Sequence, residues 1–169
     1  AYIDAEESVK NPTKYFKNNV IEFKKFLESI KNLKLNKIIF ASSAAVYGNG
    51  SKNKISESFE IKPMSPYGLS KYQGEELLGY FSKKYLFSSY CLRFFNIAGA
   101  NAEIGCGPFN SSYNHIFNIL LKKKIFYING IDYNTSDGTC VRDYVNVSDV
   151  SEVILRLLKL RETNKKNHI

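Results

Sequence analysis

Residues 66–71 read PYGLSK and place Tyr67 and Lys71 four positions apart. On a helix this spacing sends both side chains from one face, about one turn from each other. A free phenol ionises near pH 10, too high for a proton acceptor at neutral pH, but a neighbouring ammonium favours the phenolate and lowers that value. The two side chains together can therefore shuttle a proton. Upstream, an apolar run ends in Ser42 and Ser43. Strand ends in open parallel sheets face the ligand crevice, so Ser43 is placed to hydrogen-bond the substrate oxygen that Tyr67 would serve. Tyr-x-x-x-Lys by itself arises in many helices, and the strand-end serine is what gives it weight.

The elements that must position these residues are legible as alternating patterns. Asn11 followed by Pro12 predicts a helix start, with Asn as the cap, and Phe16, Val20, Phe23, Leu27 and Ile30 then form one apolar stripe. Residues 37–42 (KIIFAS) predict a strand buried on both faces, followed by a polar loop over 48–58. Ser65 and Pro66 open a second helix running to about Tyr85, and residues 88–96 predict a second buried strand. Helix, strand, helix, strand in this order predicts a parallel sheet with crossover helices, an α/β fold. Beyond Gly99 the texture changes: a loop over 100–112, a helix over 113–124, a strand over 125–128, turns over 129–139 and a strand over 140–147. Val150, Val153, Ile154, Leu157 and Leu158 then mark an amphipathic helix, capped by Ser148 or Asp149.

Composition narrows the function classes. The 24 Lys+Arg against 16 Asp+Glu give a net charge of +8, but the basic residues are scattered in short groups such as Lys122–Lys124, which reads as a solvated face rather than a nucleic-acid stripe. Cys91, Cys106 and Cys140 are odd in number and far apart, suggesting neither a disulfide framework nor a zinc site, and His115 and His168 are too isolated to build a metal site. No apolar run reaches transmembrane length and no leader pattern opens the chain, so the cytoplasm is the expected compartment.

With these motifs in place, the chain resembles the UDP-glucose 4-epimerase family of the extended short-chain dehydrogenase/reductase superfamily. The resemblance rests on FASSAAVYG and SPYGLSK, on ESVKNPTKYFKNNV near the start, on LRFFNIAGA (92–100), and most specifically on GIDYNTSDGTCVRDYVNV (130–147). It implies a partial Rossmann-type NAD-binding domain over 1–97 and part of a smaller substrate-binding region over 98–169. It implies that Tyr67 takes the proton of a UDP-sugar 4-hydroxyl while NAD accepts hydride, and that Lys71 holds the nicotinamide ribose and tunes Tyr67. Ser43 would bridge to the sugar oxygen, and Asn18 or Asn19, Ala41 and Ser42 would lie along the cofactor. Asn96 would contact the sugar nucleotide and Arg142 its diphosphate, with Asn110 as the other nucleotide-side asparagine, or Asn114 and His115 under a shifted alignment. The backbone of residues 127–129 would approach the uracil. Homodimerisation would use the helices over 12–30 and 66–85.

The departures from the family pattern are specific. Ala45, Ile3, Asn146 and Phe94 stand where threonine, lysine, histidine and tyrosine are frequent, which bears on substrate choice more than on reaction type. Ala44 and Ala45 stand where sugar-nucleotide dehydratases carry an acid, and alanine cannot move a proton, so elimination chemistry is disfavoured. No glycine-rich phosphate loop is found, although dinucleotide folds bind the pyrophosphate there. By resemblance the chain begins inside the nucleotide-binding domain, and these residues alone are expected to be inactive. A related sugar-nucleotide oxidoreductase and a non-catalytic remnant remain the alternative readings.

Overall fold

A computed structural model describes residues 1–49, 54–99, 128, 130–160 and 167–168. It divides into two compact units, Ala1–Phe94 with Leu158–Ile169, and Phe95–Leu157.

The first unit opens with α1 (Ala5–Lys10), where the Asp4 side chain accepts the Glu7 N–H at 2.8 Å. Glu6 and Glu7 in its first turn and Lys10 in its last suit the helix dipole. Asn11 does not cap the next helix as expected. Its side chain makes no capping bond, and its own N–H instead closes α1 on the Glu7 carbonyl at 2.8 Å. Pro12 nonetheless starts α2 (Pro12–Phe16), because its fixed φ and missing N–H suit a first helical position. The helical path continues through a π turn (Lys17–Ile21) into α3 (Glu22–Ile30), so the expected helix over 12–30 is one segment with a widened middle. Leu27 is its buried anchor, with Phe23 and Ile30 packed alongside.

Strand β1 (Lys37–Ser43) runs parallel to β2 (Ser88–Phe94), in register from Lys37 opposite Ser88 to Ser43 opposite Phe94. Between them α4 (Pro66–Tyr85) makes the crossover, and β5 (Asn167–His168) pairs parallel on the far side of β2. Ser65 caps α4 as expected, accepting the Gly68 N–H at 3.1 Å with Pro66 at the first position. The core joins Leu27, Leu78, Phe81, Phe87 and Cys91, with Ile38 and Phe40 of β1 packed against it. The expectation that β1 is buried on both faces is not met: most of the strand is half-buried and Ala41 is exposed. Only the alternate residues Ile38 and Phe40 reach the helical core. Phe40 packs so tightly that a Cβ on Gly74 would stand 2.6 Å from its ring, which is why that helix position carries glycine.

The expected strand over 88–96 divides in two. β2 stops at Phe94, and β3 (Asn96–Ala98) belongs to the second unit, where it pairs parallel with β4 (Tyr144–Asn146). Helix α5 (Val147–Lys159) follows. Its cap is Asn146 rather than Ser148 or Asp149, since the Asn146 side-chain oxygen accepts the Ser148 N–H at 2.9 Å. The expected turns are present over 130–139: Asp137 accepts the Thr139 N–H at 2.9 Å and its hydroxyl at 2.8 Å, which holds the carboxyl below its ordinary pKa. The loop over 100–112, the helix over 113–124 and most of the strand over 125–128 lie outside the described residues.

Candidate active site

The carboxyl end of β1 turns sharply at Ser43. Its side-chain oxygen accepts the Ala45 N–H at 3.2 Å and so caps the 3-10 turn Ala44–Tyr47. The first turn of α4 lies directly against this turn. A Cβ built on Gly68 would stand 2.5 Å from the Ala45 carbonyl oxygen, so glycine between Tyr67 and Lys71 is what lets the helix approach.

Lys71 is only 5% exposed. Its ammonium donates to the Ala41 carbonyl at 2.7 Å and lies 5.9 Å from the Tyr67 ring centre and 5.3 Å from that of Phe40. Burial disfavours the charged form and lowers the Lys71 pKa. Tyr67 is half-buried, its backbone N–H donating to the Ser8 hydroxyl at 3.1 Å and its ring meeting the edge of Tyr15 at 6.5 Å. The two tyrosines have contrasting neighbours. Tyr15 is buried and its hydroxyl donates to the Glu7 carboxylate at 2.9 Å; burial first and that carboxylate second push its pKa up to about 12. Tyr67 instead has the Lys71 ammonium on its own helix face.

A second layer fixes this face. The buried Asn19 amide accepts the Tyr2 N–H at 2.8 Å and donates to the Tyr2 carbonyl and the Ser70 hydroxyl, each at 3.0 Å. Ser70 in turn donates to the Tyr67 carbonyl at 2.8 Å. Asn18 is half-buried and reaches this network by donating to Asn19 at 2.9 Å. At the strand end, Ala41 offers its carbonyl to Lys71, whereas the Ser42 hydroxyl turns inward and donates to the Glu75 carboxylate. Ser8, Ser70, Glu75, Arg93 and Tyr47 were not singled out by sequence reasoning. A signal for two of them exists: Glu75 continues the four-residue spacing of Tyr67 and Lys71, and Arg93 is a lone charge inside the strand SSYCLRF.

In the second unit, Asn96 opens β3 opposite Tyr144, its backbone N–H and side-chain amide both donating to the Asp143 carbonyl at 3.1 and 3.2 Å. Arg142 precedes that carbonyl by one residue, so both lie at the amino end of the β3–β4 pair. The Arg142 guanidinium is exposed and donates to the Val141 carbonyl at 3.2 Å. Asn110, with Asn114 and His115, lies outside the described residues. Among the described residues no group of His, Cys, Asp or Glu could hold a metal ion, and no helix is long and apolar enough to cross a membrane.

Known proteins share this arrangement of sequence and fold. The sequence pattern of the NAD dependent epimerase/dehydratase family matches residues 1–169. The chain is 37% identical over 173 residues to a UDP-glucose 4-epimerase of Lactobacillus helveticus, covering 99% of this chain and 52% of that protein. It is 41% identical over 167 residues to one from Mycoplasma genitalium, covering 94% and 48%. Among solved structures, UDP-glucose 4-epimerase from Brucella ovis in complex with NAD superposes with a TM-score of 0.87 at 30% identity, over 100% of this chain and 54% of that one. The Bifidobacterium longum enzyme in complex with NAD+ and UDP gives 0.85 at 29% identity, over 99% and 52%. The chain thus spans about half the length of the curated relatives it matches. With the match running over residues 1–169, the chain belongs to the NAD dependent epimerase/dehydratase family.

Proposed function

We propose that the protein carrying this chain inverts C4 of a UDP-hexose, interconverting UDP-glucose and UDP-galactose with NAD. The observation that carries the reading is the buried Lys71 ammonium, which has one hydrogen-bond acceptor among the described residues, the Ala41 carbonyl, and shares a helix face with Tyr67. A buried ammonium has three N–H donors, so this arrangement leaves donors for a ligand's hydroxyls and fits the ribose of a dinucleotide. NAD, when bound, supplies the acceptor and donor of the C4 hydride. In this reading Tyr67 takes the proton from the sugar 4-hydroxyl and returns it to the same oxygen, Lys71 favours the phenolate, and Ser43 hydrogen-bonds that oxygen. Asn96 contacts the nucleotide, and Arg142 receives the diphosphate on a forked guanidinium.

The test is interconversion of UDP-galactose and UDP-glucose by the whole protein, with Tyr67→Phe beside it. The substitution is expected to lower kcat by about 10²- to 10⁴-fold while NAD remains bound. Undiminished turnover by the variant would refute the assigned base.

A second copy of the chain is the partner we propose. An open groove of about 490 Å³ between the π turn, α3 and α4 is lined by Val20, Ile21, Lys24, Gln73, Glu76, Leu77 and Tyr80. These are the two helical segments that the family resemblance assigns to dimerisation.

A further inference from the structure

Beneath the site lies a charged pair that the proposed reaction leaves unused. Glu75 and Arg93 are 4% and 6% exposed at their side chains. The guanidinium grips the carboxylate with two nitrogens: Nε at 3.0 and 3.2 Å from its two oxygens, and Nη2 at 2.6 Å. The remaining nitrogen, Nη1, donates to the Tyr47 hydroxyl at 2.9 Å and to the Glu57 carbonyl at 3.2 Å. The same carboxylate accepts the Ser42 hydroxyl. Four pieces of chain therefore meet on one ion pair: the end of β1, the 3-10 turn after it, the loop at Glu57, and β2, all tied to α4 one turn beyond Lys71.

We propose that Glu75 and Arg93 are positioning residues that set the spacing between the β1 end, with Ser43 and the Ala41 carbonyl, and the Tyr67/Lys71 face of α4. The inference rests on the site reading given above. A buried ion pair is weak evidence of stabilisation, since apolar residues of similar size often replace such a pair without loss, while removing one partner strands a buried charge. Its use here is geometric. Ser42 is flanked by Ala41, which holds Lys71, and by Ser43, so the bond from Ser42 to Glu75 fixes both neighbours relative to the helix.

The test compares Glu75→Leu/Arg93→Met, which removes both charges together, with Ser42→Ala, which cuts one tie and leaves the pair. Measurements on the whole protein are the unfolding midpoint, kcat and KM, and amide hydrogen exchange over 43–47 and 77–81. Both variants are expected to unfold within a few degrees of the parent, yet to lose about 10- to 100-fold in kcat at little-changed KM, the size of effect a displacement near 1 Å produces. Exchange should rise about tenfold or more over 43–47 and stay at the parent level over 77–81. Parent kcat in the double variant, or exchange unchanged in both segments or raised equally in both, overturns the proposal. If the parent itself does not turn over UDP-hexoses, the site reading fails, and the exchange pattern alone still decides whether the pair positions the strand end.

Discussion

Lys71 shows how a site residue can work against the fold that holds it. Its pKa is lowered by burial from the ordinary 10.5, so the charged form is less favourable in the folded chain than in the unfolded one. The cost is fully present below the folded pKa and fades as pH rises from there toward 10.5. Replacing Lys71 by methionine removes the cost, and Ala41, whose carbonyl it releases, is an exposed residue. Lys71→Met is therefore expected to unfold at or above the parent's midpoint at neutral pH, by about 2–4 °C for each kcal/mol relieved, while turnover collapses. The parent should gain on the variant as pH is raised toward 10.5. A variant that melts well below the parent at pH 7, by thermal denaturation followed with circular dichroism, would show that the ammonium stabilises the fold.

At the scale of elements, α4 is the part on which the site depends, and two of its positions can be tested independently. Gly68 admits the Ser43 turn, and a methyl there must displace the Ala45 carbonyl that would stand 2.5 Å away. Gly68→Ala is expected to cost about 1–3 kcal/mol in urea unfolding and to lower activity more than that loss explains, because the displacement falls between Tyr67 and Lys71. Leu86, at the other end, holds φ at 57° with its side chain exposed and its N–H on the Ser82 carbonyl. Leu86→Gly is expected to raise stability by up to about 1 kcal/mol with activity unchanged; a loss in urea unfolding would mean that the leucine side chain contributes packing. These elements were legible in unequal degree. Helix α4 was readable at its start because Ser65 and Pro66 are local signals, and it ends at Tyr85 as expected. The caps at Asn11 and Asn146 were misread, Asn11 making no capping bond and Asn146 capping in place of Ser148 or Asp149, because which short polar side chain captures a free N–H depends on where the chain comes from. The end of β2 at Phe94 was also hidden, since the apolar pattern runs on through Phe95 and Ile97 while the hydrogen-bonding partner changes to β4. The Tyr67/Lys71 spacing was visible in one helix, whereas Glu75 and Arg93 meet from separate elements and no local pattern announces the pairing.

For the molecule as a whole, the net charge of +8 argues against close approach of two copies unless the contact itself is apolar and its charges alternate. The groove along α3 and α4 meets that condition. Val20, Ile21, Leu77 and Tyr80 supply apolar surface, and Lys24 and Glu76 border it with opposite signs. In a two-fold contact each patch meets itself, so Lys24 of one copy can face Glu76 of the other twice over. Ile21 is half exposed in the single chain, so Ile21→Glu leaves the core intact while placing two carboxylates at the proposed contact. Sedimentation velocity at micromolar concentration is expected to give a dimer for the parent and a monomer for the variant, with the two melting alike at low concentration. Raising salt is expected to leave the parent dimer intact, because apolar burial is unscreened, rim ion pairs contribute little and screening relieves the repulsion between two positive copies. A parent that sediments as a monomer, or a variant that remains dimeric, assigns the groove no role in association and leaves Lys24 and Glu76 as ordinary solvated charges.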